Sequence, residues 1–84
     1  EGSITVQAMQ VISNLESICR AANASLIDIV KLNIYLTDLS NFAEVNAVMQ
    51  DKFAEPYPAR ATVEVSALPL GVDIEMDAIV LINE

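Results

Sequence analysis

The sequence holds no histidine and no tryptophan, a single cysteine (Cys19), two glycines and three prolines. Each shortage removes a class of function. Without histidine, the commonest general base and the commonest metal ligand are gone. One cysteine allows neither a disulfide framework nor a thiolate metal cluster, and it fits a reducing, cytoplasmic setting. Positive charge is scarce as well: four Lys and Arg face twelve Asp and Glu, a formal net charge of −8. Nucleic acid and anionic membrane surfaces both require clustered positive charge, so neither is an expected partner. The longest apolar run, Ala78 to Ile82, falls far short of the roughly 20 residues of a transmembrane helix. No signal-peptide pattern opens the chain. Glycine-rich phosphate loops, a Gly-x-Ser-x-Gly elbow, metal-ligand spacings and Cys/His pairs are likewise missing.

What is abundant is apolar side chain, at 54% of 84 residues. That content excludes disorder. The length implies one domain over residues 1–84, and a chain this short buries only about 60% of its unfolded surface. The apolar excess therefore predicts cover by further copies of the same chain.

The pattern reads as helix, strand, helix, strand, strand. Ile4, Ala8, Val11, Ile12, Leu15, Ile18, Cys19 and Ala22 fall at helical steps of three and four. Ser3 or Thr5 suits the N-cap, and Asn23 suits the stop because it tolerates a left-handed backbone. From Ile29 to Thr37, Val30, Leu32, Ile34 and Leu36 alternate with Lys31, Asn33, Tyr35 and Thr37, which is a strand. Asp38 and Ser40 offer caps for a second helical stripe of Phe42, Val45, Val48, Met49 and Phe53, ended by Pro56 and Pro58. Ala59–Val65 is extended, with Arg60, Thr62 and Glu64 on one face. After Pro69-Leu70-Gly71, a last strand from about Asp73 to Ile82 has Ile74, Met76, Ala78, Val80 and Ile82 on one face and Glu75, Asp77, Ile79 and Leu81 on the other. Its far half is apolar on both faces, which predicts burial on both sides. The expected architecture is α+β, a mixed sheet with both helices on one face. The Ile29–Val65 crossover would be parallel and right-handed, and the last two strands would form an antiparallel pair.

Few side chains could carry chemistry. Arg60, at the start of a strand, offers a rigid charged fork that clasps a carboxylate or phosphate. On composition alone the simpler reading is a surface arginine paired with one of many acids. Glu75, on a strand expected beside that of Arg60, could hold or activate a water; its simpler reading is a solvated carboxylate. Asn46 sits between Phe42 and Met49 on the helical wheel, and a structural hydrogen bond to a nearby loop is the simpler role for it. Cys19 falls on the buried stripe and reads as a small hydrophobe.

In order along the chain, Asp28-Ile29-Val30-Lys31, Tyr35-Leu36-Thr37-Asp38-Leu39, Asn41-Phe42-Ala43-Glu44-Val45-Asn46, Pro58-Ala59-Arg60-Ala61-Thr62-Val63-Glu64-Val65, Leu68-Pro69 and Ile74-Glu75-Met76-Asp77-Ala78 resemble the YjgF/YER057c/UK114 family. These are the reactive intermediate imine deaminases often called RidA. The resemblance covers nearly the whole chain and implies a chorismate-mutase-like fold. It also implies a homotrimer whose sheets form a barrel-like core, with clefts between neighbouring subunits. It implies hydrolysis of 2-imino and enamine acids, such as 2-aminoacrylate and 2-iminobutanoate, to 2-keto acids and ammonia. No metal or organic cofactor is implied. Arg60 would bind the substrate carboxylate and Glu75 would position the water. Asn46 would lie near the cleft, with Thr62 standing where some members carry cysteine in the substrate-binding strand. The family pattern also has early strands, a pocket tyrosine and a Ser-Gly-Gln-type segment ahead of the first helix, and this sequence has none of them. The other reading is a non-catalytic trimer of the same fold that binds small carboxylates.

Overall fold

Eighteen residues, Ile4–Ala21, form the first helix, α1. The computed structural model describes residues 3–55 and 57–82; Pro56, assigned above to a helix stop, lies outside them. Ser3 caps α1, its hydroxyl accepting from the Val6 N–H at 3.2 Å. The other end closes as a Schellman motif: Ala24 N–H bonds Cys19 O, Asn23 N–H bonds Arg20 O, and Asn23 sits at φ 61°. Ala8, Ile12 and Cys19 are buried, whereas Ile18, expected on the same stripe, is exposed.

Strand β1 runs Ile29–Leu36, helix α2 Phe42–Lys52, β2 Ala59–Glu64 and β3 Ile74–Val80. A short 3-10 turn precedes α2. There the Asp38 carboxylate accepts from the Ser40 N–H at 2.9 Å, and this bond holds its carboxyl below the usual value. The end of β2 is tied to the same turn, because Glu64 Oε1 accepts from the Leu39 N–H at 2.9 Å. Leu32, Ile34 and Leu36 of β1 are at most 1% exposed and meet Ile74 and Met76 of β3, Val45, Val48 and Met49 of α2, and the buried face of α1. Both helices therefore cover one sheet face.

Strand order is β2-β1-β3, with β1 parallel to β2 and antiparallel to β3. This corrects the expected β2–β3 pairing. The connection 65–73 is longer than the 2–5 residues of a hairpin loop and carries the chain past the end of β1 to its far edge. The most apolar strand thereby takes the centre. A second correction lies at the start of β1. A register shift between Ile29 and Lys31 turns Ile29 into the core and Val30 outward, reversing the simple alternation. Finally, Ile79 and Leu81 are 57% and 62% exposed, since among the described residues no element lies on their side of the sheet.

Candidate functional site

Arg60, the second residue of β2, lies opposite Leu32 and so points to the helix-covered face, beyond the edge of the core. There α2 receives it. Arg60 Nη1 donates to Asn46 Oδ1 at 2.7 Å, and Arg60 Cζ lies 5.3 Å from the centre of the Phe42 ring. The guanidinium looks into a cavity of about 320 Å3 that is also lined by Met49, Gln50, Phe53, Tyr57 and Pro58. Among the described residues its two partners are neutral, and the ion pair present is Arg20 with Glu16 at 3.0 Å. The acid-paired surface arginine expected from composition is thus not what forms. A fixed cation in a partly apolar cavity, with N–H donors to spare, is suited to a planar anion.

Sequence reasoning brought Arg60 and Asn46 forward separately, and the structure joins them. Asn46 bonds the arginine rather than a loop. Phe42, expected in the helical core stripe, instead lies at the surface against Arg60. Its spacing of four from Asn46 was the available signal, since that spacing puts both on one helix face. Thr62 shares the Arg60 face, opposite Ile34, but does not line this cavity.

Glu75 lies elsewhere, which corrects the expected adjacency. Its cross-strand partner is Tyr35, so it sits on the uncovered sheet face, and β1 separates its strand from that of Arg60. Within one chain the two are on opposite faces and opposite edges. Around Glu75 the open face carries a polar group that the sequence reading did not assemble. Asp77 accepts from Asn33 Nδ2 at 2.8 Å and from the Tyr35 hydroxyl at 3.0 Å. The bond to Asp77 pushes the Tyr35 phenol above its usual pKa, with desolvation and the Asp77 and Glu75 charges acting the same way. Burial likewise pushes the Cys19 thiol up, as for a packed hydrophobe. A larger cavity of about 590 Å3 separates α1 from the 70–74 segment, far from Arg60 in the fold. Gln7 spans one side of it, accepting from the Asp73 N–H at 3.0 Å and donating to the Asp73 carboxylate at 3.1 Å. Among the described residues no cluster of three or more His, Cys, Asp or Glu could hold a metal ion, and no helix is long and apolar enough to cross a membrane.

The sequence profile of the endoribonuclease L-PSP family matches residues 1–82. The chain belongs to that family, the YjgF/RidA family. Within the L-PSP family, Protein HMF1 of Saccharomyces cerevisiae is 52% identical over 79 residues, covering 94% of this chain and 61% of its own length. The 2-iminobutanoate/2-iminopropanoate deaminase of Dermatophagoides farinae is 37% identical over 82 residues, covering 98% of this chain and 64% of its own. The crystal structure of RidA from the Antarctic bacterium Psychrobacter sp. PAMC 21119 superposes with a TM-score of 0.95 at 49% identity. That match covers 98% of this chain and 67% of the other. The fold is therefore the chorismate-mutase-like one of RidA proteins. The chain spans less than two thirds of the length of these curated L-PSP relatives.

Proposed function

We propose that this chain, assembled as a homotrimer, hydrolyses reactive 2-imino and enamine acids to 2-keto acids and ammonia. The observation that carries the reading is Arg60. In a chain of net charge −8, its guanidinium is held by the neutral Asn46 and Phe42 and faces a cavity. A substrate carboxylate supplies the missing negative partner through two charge-assisted bonds, fixing the neighbouring imine carbon in place. Membership of the L-PSP family and the 37% identity to a named 2-iminobutanoate/2-iminopropanoate deaminase support the same reading.

The chemistry makes modest demands. A protonated imine is already electrophilic, so water adds to its carbon, forming the C–O bond and releasing a proton to base. The amino nitrogen of the resulting carbinolamine takes up that proton, the C–N bond breaks as the hydroxyl gives up its own proton to base, and ammonia leaves as the carbonyl forms. In the proposal Glu75 orients that water and takes up its proton, a contribution of about 10²–10⁴-fold for general acid–base help. Because Glu75 and Arg60 of one chain lie on opposite sheet faces, the Glu75 that meets a given Arg60 belongs to a neighbouring copy. Thr62, two residues along the Arg60 face but outside the cavity, would border the substrate only where it extends beyond that cavity toward the neighbouring copy. No metal or organic cofactor takes part. The buried free thiol of Cys19 suits a reducing compartment, and the cytoplasm is the one proposed.

A coupled assay tests this. A serine or threonine dehydratase generates 2-aminoacrylate or 2-iminobutanoate, and keto acid release is followed with and without the protein. Acceleration is expected. Arg60→Ala should lower kcat/KM by about 10²-fold or more, the equivalent of two charge-assisted bonds. Full activity of Arg60→Ala would sink the assignment. The separation of Glu75 from Arg60 within a chain favours a second reading, a non-catalytic carboxylate-binding trimer. Arg60-dependent binding of a 2-keto acid by a folded protein that does not accelerate imine hydrolysis would select it.

A further inference from the structure

The support beneath Arg60 comes from a single helical turn. Phe42 and Asn46 are four residues apart, so their side chains leave the same face of α2, one above the other. The Phe42 ring lies within the roughly 6 Å that defines a cation–π contact. Asn46 takes one Nη1 hydrogen. Ring and amide together occupy one face of the guanidinium and one of its five N–H donors, leaving the others for a ligand. Both supports are neutral. A carboxylate in either place would hold the arginine as firmly but would cancel the charge that an anion needs. A long side chain in solvent loses rotamer freedom when a ligand immobilises it. An arginine already held by a ring and an amide has lost much of that freedom beforehand.

We infer that Phe42 is a positioning residue for anion capture: its ring fixes the plane of the Arg60 guanidinium, while Asn46 fixes its rotation, so that a free N–H edge meets a planar carboxylate. The inference rests on the proposed reading of Arg60 as the carboxylate-binding residue. Phe42 touches the arginine and not the reacting atoms, so its effect belongs to substrate and transition state alike. Removing the ring raises KM and leaves kcat unchanged.

The test uses 2-oxobutanoate as the probe, with binding measured by calorimetry on the assembled protein. Phe42→Leu keeps an apolar side chain of similar size and removes the ring face; it should weaken binding about two- to fivefold, the range of an exposed cation–π contact. Phe42→Tyr should restore it. In an Arg60→Ala background Phe42→Leu should cost nothing more, a coupling that a purely structural role for the ring would not produce. Equal affinity of wild type and Phe42→Leu, with Arg60→Ala weakened, overturns the positioning role and leaves the carboxylate reading standing. Equal affinity of wild type and Arg60→Ala overturns both. The unmodified protein gives an independent answer, because the chain has two arginines, Arg20 and Arg60. Ring current from Phe42 should shift the Arg60 Nε–H proton upfield of that of Arg20; coincident resonances overturn the inference even where Phe42→Leu fails to fold.

Discussion

Tyr35 shows how one hydrogen bond fixes a pH response. Its hydroxyl donates to the Asp77 carboxylate at 3.0 Å, and donation requires that the phenol keep its proton. The folded-state pKa is therefore raised above the ordinary 10.0, first by that bond, then by desolvation and the nearby charges of Asp77 and Glu75. A raised pKa means that the folded state binds the proton more tightly than the unfolded state. The contribution to stability is fully present below the ordinary tyrosine value and is lost as pH climbs from there through the folded value. A phenolate absorbance titration should show one tyrosine ionising above free tyrosine, and Tyr35→Phe should remove it. The stability gap between wild type and Tyr35→Phe should narrow as pH rises above that of free tyrosine. Titration of Tyr35 at the free value would contradict the bond. Both Tyr35 and Asp77 were visible in the sequence as polar positions on alternating strands. Their contact was not, because it depends on which strand lies beside β1.

The termini of α1 show where local chemistry suffices. Asn23 adopts φ 61° and its N–H and that of Ala24 close the helix on Arg20 and Cys19. Asparagine tolerates that left-handed position because its short polar side chain can hydrogen-bond locally; alanine there bears the full penalty of about 1–2 kcal/mol, and glycine, with no Cβ, bears none. Asn23→Ala should therefore lower stability in urea denaturation by about 1 kcal/mol and Asn23→Gly should leave it within a few tenths. Equal losses would mean that the Asn23 side chain, not its backbone, matters. Such signals made both helices and all three strands legible, with boundaries close to those observed. Strand order was not legible in the same way. Periodicity reports which residues share a face and says nothing about neighbours across a sheet. The cue that was present, a connection 65–73 too long for a hairpin, argued against pairing β2 with β3. Similarly, alternation alone cannot reveal the irregularity beside Val30, where one extra residue turns Ile29 inward. For the site, Arg60 and Asn46 were legible as residue types in context. The contact of Arg60 with Phe42 and its distance from Glu75 needed the third dimension.

At the scale of the molecule, surface area bears on how the chain assembles. Its accessible surface is 5402 Å2, against about 4,900 Å2 expected for a folded monomer of this mass. The excess coincides with an uncovered sheet face on which Val63 and Ile79 are exposed apolar residues and Asn33 and Tyr35 both donate to Asp77. Apolar side chains in that setting favour association, while a charge of −8 on every copy opposes it. A negative charge at Ile79, which lies beside exposed Leu81 at one edge of that face, adds desolvation and like-charge repulsion together where copies meet. Ile79→Asp should therefore reduce the proposed trimer to single chains in sedimentation velocity while α1, α2 and the Arg60–Asn46 bond, all on the other face, persist. If a neighbouring copy supplies Glu75, this variant loses imine hydrolysis while each chain keeps an Arg60 with its own supports. Turnover by a dissociated Ile79→Asp chain at the wild-type rate would show that one chain completes the site alone. An undissociated variant would show that the uncovered face is not where copies meet.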